Sequence, residues 1–464
     1  MVRRAAVGVA GRMAHHLPTQ RCNNEQATET MVDFVVTNLI RPAEWGKAVR
    51  LKLFAIAYKL RGTRRLVKKA RSHRAALRFG EAEAVLARLF ASGCKDITVL
   101  SEAAELATAR ERWDEAVVLL EKVLATEPED AARYRAKLAK ARSCSGDFSG
   151  AIEDLKRVLA ADPHSEKEIA ELCHITREAK DFGAAVAHLR SIAPHQLAGV
   201  PNDLIARTVD FGYVMWPFTI RELIADKDIL DVGCGSGVHG LSFIMAGARS
   251  YTGLDPLIDL ASSKVKHKSL RYWTDFGYTA GQIADLVPGV ELIRGVFEDV
   301  APDRMFDVAA MHNATEHFHN LEQIFAGVAA RLRPGGKVVF QHHNYFAWNG
   351  HHMQPKLVSN IQPGNPKHER YMDWAHLRFV DEPDPDTDQK VNKVRIGELR
   401  AITERYFEIG EWRLIKSKAL EGAGRLTDEI AARWPAYSRE ELTTQSVFCV
   451  AKRLSAQRGC PSGG

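Results

Sequence analysis

ILDVGCGSGVHG, residues 229–240, is the stretch on which the reading of this chain turns. A short apolar run enters a glycine-rich turn, which lets backbone approach a ligand at the end of a strand. Two readings compete. From Gly235 the stretch is G-x-G-x-x-G (Gly235, Gly237, Gly240), and Asp255 follows 20 positions after Gly235, as in a dinucleotide fingerprint. From Asp231 it is D-x-G-x-G-x-G. Asp231 separates the two. A dinucleotide would bring a doubly negative pyrophosphate to this turn, where a carboxylate repels it and nothing nearby in the sequence neutralises the pair. S-adenosylmethionine (SAM) has no phosphate, and its ammonium and sulfonium both attract a carboxylate. Asp231 therefore points to SAM.

The rest of the C-terminal half agrees. Apolar runs alternate with helical patterns through SYTGLD, VELIRG, FDVAAM and KVVFQH, and then come the helix IGELRAITERYF and the strands EIGEWRLI and TTQSVFCVAKR. Strands alternating with helices predict a parallel α/β sheet. Asp255, in TGLDP, ends the second strand, where a carboxylate can accept both ribose hydroxyls. That feature suits either ligand. In GVFEDV, Glu298 and Asp299 follow the third strand, and an acidic side chain there can accept from an adenine amino group. The last two strands lie close together in sequence, which predicts a final strand inserted antiparallel.

DVGCGSG, GLDP, FEDV, FDVAAMHNATEHF and LRPGGKVVF, in that order, resemble a class I SAM-dependent methyltransferase over about residues 205–454. The resemblance implies a Rossmann-like seven-stranded domain with SAM as cofactor. It implies that Asp231 and the loop of Gly233, Gly235 and Gly237 hold the methionine part. Asp255 would hold the ribose, and Glu298 or Asp299, with Asp299 slightly preferred, would face the adenine. His312 and Asn313 would line the sulfonium end.

Methyl transfer needs a nucleophile in line with the methyl group and often a base to take its proton. MHNATEHFHN and QHHNYFAWNGHHMQPK follow the fourth and fifth strands, where this fold builds its sites. His317, His342 and His343 are the candidate bases, with Glu316 as orienter. The same density raises a metal reading through Glu316, His317, His319 and the pairs His342/His343 and His351/His352. Their spacing matches no established metal motif, so no metal is assigned. Residues 344–390 form an expected lid insert, with Tyr345, Trp348, Tyr371, Trp374, His376 and the acidic DEPDPDTD; it would cover the site and shape the acceptor pocket. An extension over 257–289 adds Arg271, Tyr272, Trp273 and Tyr278. Aromatic rings with a few polar groups suit a small molecule or a sugar ring.

The N-terminal half has a different texture. Phe79-Gly-Glu-Ala82, Trp113-Asp-Glu-Ala116, Phe148-Ser-Gly-Ala151 and Phe182-Gly-Ala-Ala185 align at intervals of 34, 35 and 34 residues. Each opens an apolar helix, and Pro128 and Pro163 follow the second and third. This period resembles tetratricopeptide (TPR) repeats over residues 60–195, although the Trp and Leu-Gly usual in the first helix of each unit are missing. Such an α-helical repeat arm implies a surface for a protein partner. Residues 41–78 carry thirteen Lys or Arg against Glu44 alone, and 46–78 read as a basic amphipathic helical segment. Its two readings are a solvated first helix and a peripheral contact with an anionic membrane. Residues 1–45 are expected to be disordered, a targeting segment or a misassigned start, and 455–464 a disordered tail.

The composition is that of a globular chain: 464 residues, 45% apolar and 26% charged, with a net charge of +6. That charge is too mild to argue for nucleic acid. The tetrapeptide typical of exocyclic-amine methylation is absent, HNAT standing in its place, so no nucleic-acid acceptor is expected. Seven cysteines without a C-x-x-C pair fit a reducing, cytoplasmic location. No 18-residue apolar run predicts a membrane span. The expected function is methyl transfer to an oxygen of a small molecule or saccharide. The alternatives are a protein methyltransferase fed by the repeats and a non-catalytic SAM-binding interaction protein.

Overall fold

A computed structural model describes residues 62–268, 270 and 272–454. The expectations for 1–45, for 46–61 of the basic segment, for Arg271 and for 455–464 lie outside the described residues. The chain forms two compact units that divide between Ala151 and Ile152. The division falls inside the 60–195 repeat span.

The first unit is helical: α1 (62–75), α2 (Phe79–Ala91), α3 (Ile97–Ala109), α4 (Trp113–Leu124) and α5 (Ala131–Ser145). The 34-residue interval has a physical meaning here. Ala82, Val85, Leu86 and Leu89 are buried on α2, and Ala116, Leu119, Leu120 and Val123 take the same places on α4. Each set is one stripe at i, i+3, i+4 and i+7. Phe79 and Trp113 open these helices and pack partly buried against the same core. Asp96 caps α3 by accepting from the Thr98 N–H at 2.8 Å, and Gly146 ends α5 in the left-handed region. Glu102, buried on α3, accepts from Arg74 of α1 at 2.7 Å, so its charge enters the core already paired.

The second unit holds helices α6 (Phe148–Ala161, from Ile152 onward), α7 (Glu166–Ala179), α8 (Gly183–Ile192) and α9 (Asn202–Asp210) ahead of a seven-stranded sheet. The strands are β1 (Asp228–Val232), β2 (Ser250–Leu254), β5 (Val290–Ile293), β6 (Phe306–His312), β7 (Leu332–His343), β8 (Phe407–Lys416) and β9 (Thr444–Arg453). Their order is β5-β2-β1-β6-β7-β9-β8. The first five are parallel, β9 runs antiparallel to β7, and β8 is antiparallel to β9. A two-stranded hairpin, β3 (Lys264–Lys266) with β4 (Trp273–Asp275), stands apart from the sheet. Ile229–Val232 are all buried, the mark of a central parallel strand covered on both faces. Leu321, Phe325 and Val328 from α10 (Leu321–Arg331) and Leu399 and Ile402 from α11 (Ile396–Tyr406) complete one core with the strands. Strand order reverses at β1, with β2 on one side and β6 on the other. In sheets of this kind the ligand crevice lies at the carboxyl ends of the strands beside such a reversal.

The insert differs from expectation. Tyr345, Trp348, Tyr371, Trp374 and His376 are each no more than 3% exposed. Tyr345, Phe346, Trp348, Trp374 and Leu377 form a second core with Val391, Leu426 and Leu442. The insert's rings therefore pack on each other and do not line an open acceptor pocket. Its acids are tied internally as well: Asp384 is fully buried and accepts from Arg370 at 2.9 Å, and Asp388 pairs with Lys393 at 2.7 Å. In the 257–289 extension Tyr272 and Trp273 are exposed, Tyr278 is half-buried and Phe276 is fully buried.

Candidate active site

Asp231, next to last in β1, pairs in register with Gly253 of β2 and Ala310 of β6, so the ends of three strands share one rim. Its carboxylate is buried and accepts from the Tyr251 hydroxyl at 2.7 Å. Burial raises its pKa to about 7; the Tyr251 hydrogen bond opposes this, and Asp255 adds to it. A buried carboxylate held near neutrality is ready to ionise against an arriving cation.

The glycine loop is fixed by backbone conformation. Gly233, Gly235 and Gly237 have φ of 78°, 60° and 72°, where side chains are strained. A Cβ on Gly237 would lie 2.7 Å from Leu292, and one on Gly233 would lie 2.8 Å from Ala314. A Cβ on Gly235 would meet nothing within 4 Å, so this residue presents bare backbone to open space. Asp255 binds the loop: one oxygen accepts from the Gly235 N–H at 2.9 Å and the other from the Leu257 N–H at 2.8 Å. Each oxygen keeps a lone pair for a hydroxyl donor.

After β5 the two acids exchange their expected parts. Asp299 accepts from the Val296 N–H at 2.8 Å and closes its own turn, while the exposed Glu298 makes no such bond. Glu298 is the acid left to accept from a ligand, so the preference for Asp299 is corrected. At the end of β6, His312 stacks on Trp216 with centroids 4.3 Å apart and 8° between planes. Burial and the charge of Lys268 drive its pKa down to about 3, so the ring is neutral. Asn313 follows with φ 51° and an exposed side chain.

The histidines separate sharply. His342 is fully buried, its Nδ1 3.0 Å from the Thr315 hydroxyl, and burial pushes its pKa to about 3. At 1% exposure it has no opening to solvent, which does not suit the expected role of base. His343 has both nitrogens engaged, Nδ1 with His352 Nε2 at 3.0 Å and Nε2 with the Gln445 amide at 2.6 Å. Burial lowers its pKa to about 4, and it too is corrected from a base to a structural group. Of the three candidate bases, only His317 is exposed. Its Nδ1 meets the Lys390 carbonyl, which fixes the ring and leaves Nε2 without a partner among the described residues. Glu316 does not orient it. That carboxyl is buried beneath, with its pKa raised to about 8 by burial and one oxygen unpartnered. Asn392 positions the segment instead: its N–H donates to the Glu316 carbonyl at 2.7 Å, and its amide donates to the carbonyls of Thr315 and Phe318, both at 2.8 Å. Among the described residues no three His, Cys, Asp or Glu side chains are grouped to hold a metal ion.

Sequence reasoning missed Tyr251, Trp216 and Asn392. Only Trp216 had a visible signal, as an aromatic in an apolar stretch before β1. The others are polar groups brought to the rim by tertiary contacts.

Residues 201–406 match the family model described as "Methyltransferase domain". This segment is a class I SAM-dependent methyltransferase domain. The methyltransferase domain has curated relatives. A tRNA U34 carboxymethyltransferase of Actinobacillus pleuropneumoniae is 27% identical over 202 residues, covering 42% of this chain and 54% of that protein. A ubiquinone biosynthesis O-methyltransferase of Rickettsia bellii is 25% identical over 116 residues, covering 24% of this chain and 40% of that protein. The chain thus spans about half the length of the relatives it matches. Among solved structures, a SAM-dependent methyltransferase from Mesorhizobium loti aligns with 52% of this chain and 99% of its own, at 18% identity and a TM-score of 0.30. The N-methyltransferase NodS from Bradyrhizobium japonicum, in complex with S-adenosylhomocysteine, aligns with 58% and 98%, at 11% identity and a TM-score of 0.27.

The residues present fit SAM as cofactor. The buried Asp231 carboxyl suits an ammonium, the open face of Gly235 suits close backbone approach, and Asp255 and Glu298 are acceptors for ribose hydroxyls and an adenine amine.

Proposed function

We propose that this chain transfers a methyl group to an oxygen of a small-molecule or saccharide acceptor. The observation that carries the reading is the pairing of the Asp231 glycine-loop rim with His317, the one exposed histidine of the candidate set. When bound, SAM supplies an electrophilic methyl on its sulfonium. Asp231 and the loop hold the methionine end, Asp255 the ribose and Glu298 the adenine. The neutral His312 and Trp216 pair makes an apolar wall that excludes water from the reacting centre without adding a positive charge. His317 Nε2 takes the acceptor's hydroxyl proton, with the Lys390 carbonyl holding its Nδ1–H and so setting the tautomer that makes Nε2 basic. Buried as a neutral acid, Glu316 leaves no fixed negative charge beside the imidazole. The test is turnover with a radiolabelled methyl donor across phenolic, saccharide, peptide and RNA acceptors.

A second acceptor class, RNA, is favoured by one observation: the first relatives are named tRNA U34 carboxymethyltransferases. Labelled RNA as the sole product would move the reading there. The helical unit, with its repeated buried stripe, supports a TPR-like arm that presents a surface to a protein partner. A protein acceptor delivered by that arm would appear as peptide labelling. Among the described residues no helix is long and apolar enough to cross a membrane. The peripheral anionic-membrane reading of 46–78 predicts sedimentation with anionic vesicles that is lost on removal of residues 1–78.

A further inference from the structure

The Lys356 carbonyl anchors a run of hydrogen bonds that ends beside His317. A carbonyl can only accept, so the Asn349 amide nitrogen donates to it, at 3.1 Å, and the Asn349 oxygen is left as an acceptor. That oxygen accepts from the Gln445 amide nitrogen at 3.0 Å, while the Gln445 oxygen accepts from the Ser417 hydroxyl at 3.0 Å. Flipping the Asn349 amide would set two oxygens face to face at Lys356, and flipping Gln445 alone would do the same at Asn349. The second proton of the Gln445 nitrogen goes to His343 Nε2 at 2.6 Å, which makes Nε2 an acceptor and puts the His343 proton on Nδ1. His343 Nδ1–H then donates to His352 Nε2 at 3.0 Å. Burial keeps both rings neutral, so the one ring proton of His352 is on Nδ1.

His352 is the point at which the insert reaches the candidate base. Its ring stands edge-on to His317, with centroids 5.3 Å apart and 62° between planes. Its backbone has φ 59°, a left-handed conformation that is strained for a residue with a side chain and that persists where the surroundings over-determine it. His317 in turn lies between Ala314 and Phe318, which border the cofactor loop: a Cβ on Gly233 would lie 2.8 Å from the first and 3.0 Å from the second. Two neighbouring rings thus carry opposite polarity beside that loop, with His317 Nε2 as acceptor and His352 Nδ1–H as donor. We propose that His352 is a substrate-binding residue, donating from Nδ1 to a second oxygen of the acceptor, next to the hydroxyl that His317 deprotonates. The ligand class is a diol, on an aromatic or a saccharide ring. The proposal rests on the reading of His317 as the base. Gln445 and His343 are positioning residues, which act by holding the His352 proton on Nδ1.

The test is nitrogen NMR on the full chain isotopically labelled at histidine, with His317→Asn, His343→Asn and His352→Asn to assign the rings. In the wild type, His343 and His352 should both carry the proton on Nδ1. Gln445→Glu, whose carboxylate only accepts, should move the proton to Nε2 in both rings. A wild-type His352 with its proton on Nε2 overturns the proposal and leaves the base reading intact; a His317 with its proton on Nε2 contradicts the base reading instead. With S-adenosylhomocysteine present, catechol is then titrated against phenol, and cis-1,2-cyclohexanediol against cyclohexanol, as an aromatic and a saccharide-like pair. At least one diol should bind about 3- to 10-fold more tightly than its single-hydroxyl partner, the span of one neutral hydrogen bond. His352→Phe should remove that preference, and His352→Asn, which keeps an N–H donor, should restore it. Diols that do not bind, diols that bind no more tightly than their partners, or a preference that survives His352→Phe would each overturn the proposal.

Discussion

The two halves of the candidate site are built in opposite ways. The cofactor half is backbone: three glycines at positive φ, one of them facing open space, with Asp255 holding the Gly235 N–H. The acceptor half is side chain: histidines and aromatic rings, nearly all buried and already bonded to one another. Where backbone geometry makes the site, residue type is dictated and legible. Where packed side chains make it, a chemically capable residue is as often structural as reactive. His342 and His317 stand 25 positions apart, share a composition-based claim to catalysis, and differ completely in access.

That contrast can be broken at several points. The largest effect is expected at His317: His317→Ala should lower turnover by about 10²- to 10⁴-fold at unchanged S-adenosylhomocysteine affinity, the span of a lost general base. Turnover that survives would put the base elsewhere. Trp374→Ala, in the insert core, should destabilise the protein by about 3–5 kcal/mol in denaturant unfolding, as large-to-small changes at fully buried aromatics do. A stable variant with altered acceptor preference would return the insert's rings to the acceptor pocket. Asp255→Ala should weaken S-adenosylhomocysteine by about 10- to 100-fold, since it removes both the loop tie and the hydroxyl acceptor. His342→Ala should cost about 1–3 kcal/mol in stability through the orphaned Thr315 hydroxyl and the cavity, with kcat nearly unchanged in the folded fraction.

The smallest effect is a pH dependence. Burial holds Asp231 near pKa 7, so below that pH the free protein carries a proton that an ammonium must displace. Affinity for S-adenosylhomocysteine should rise with pH by up to about tenfold per unit and flatten above about pH 7. Asp231→Asn should remove the slope. A flat profile in the wild type would mean that Asp231 is ionised before the ligand arrives.

Much of the fold was legible. The alternation of strands and helices, the glycine loop and the antiparallel final strand follow from local pattern, because backbone hydrogen bonding dictates each one locally. The stripes of α2 and α4 were legible from the interval between Ala82 and Ala116. The limits were tertiary. Glu298 and Asp299 are adjacent, and only the path of the chain shows that Asp299 closes its own turn on Val296. Trp348 and Trp374 look like pocket aromatics in sequence, yet they pack against Leu426 and Leu442, far along the chain.

The most direct test of the central claim is a side-by-side titration of the full chain with S-adenosylhomocysteine and NAD, repeated on Gly237→Val. Micromolar binding of S-adenosylhomocysteine, no binding of NAD and loss of binding in the variant are predicted from the buried carboxylate and the Leu292 contact. Binding of NAD in place of S-adenosylhomocysteine would contradict the reading of Asp231 and, with it, the mechanism.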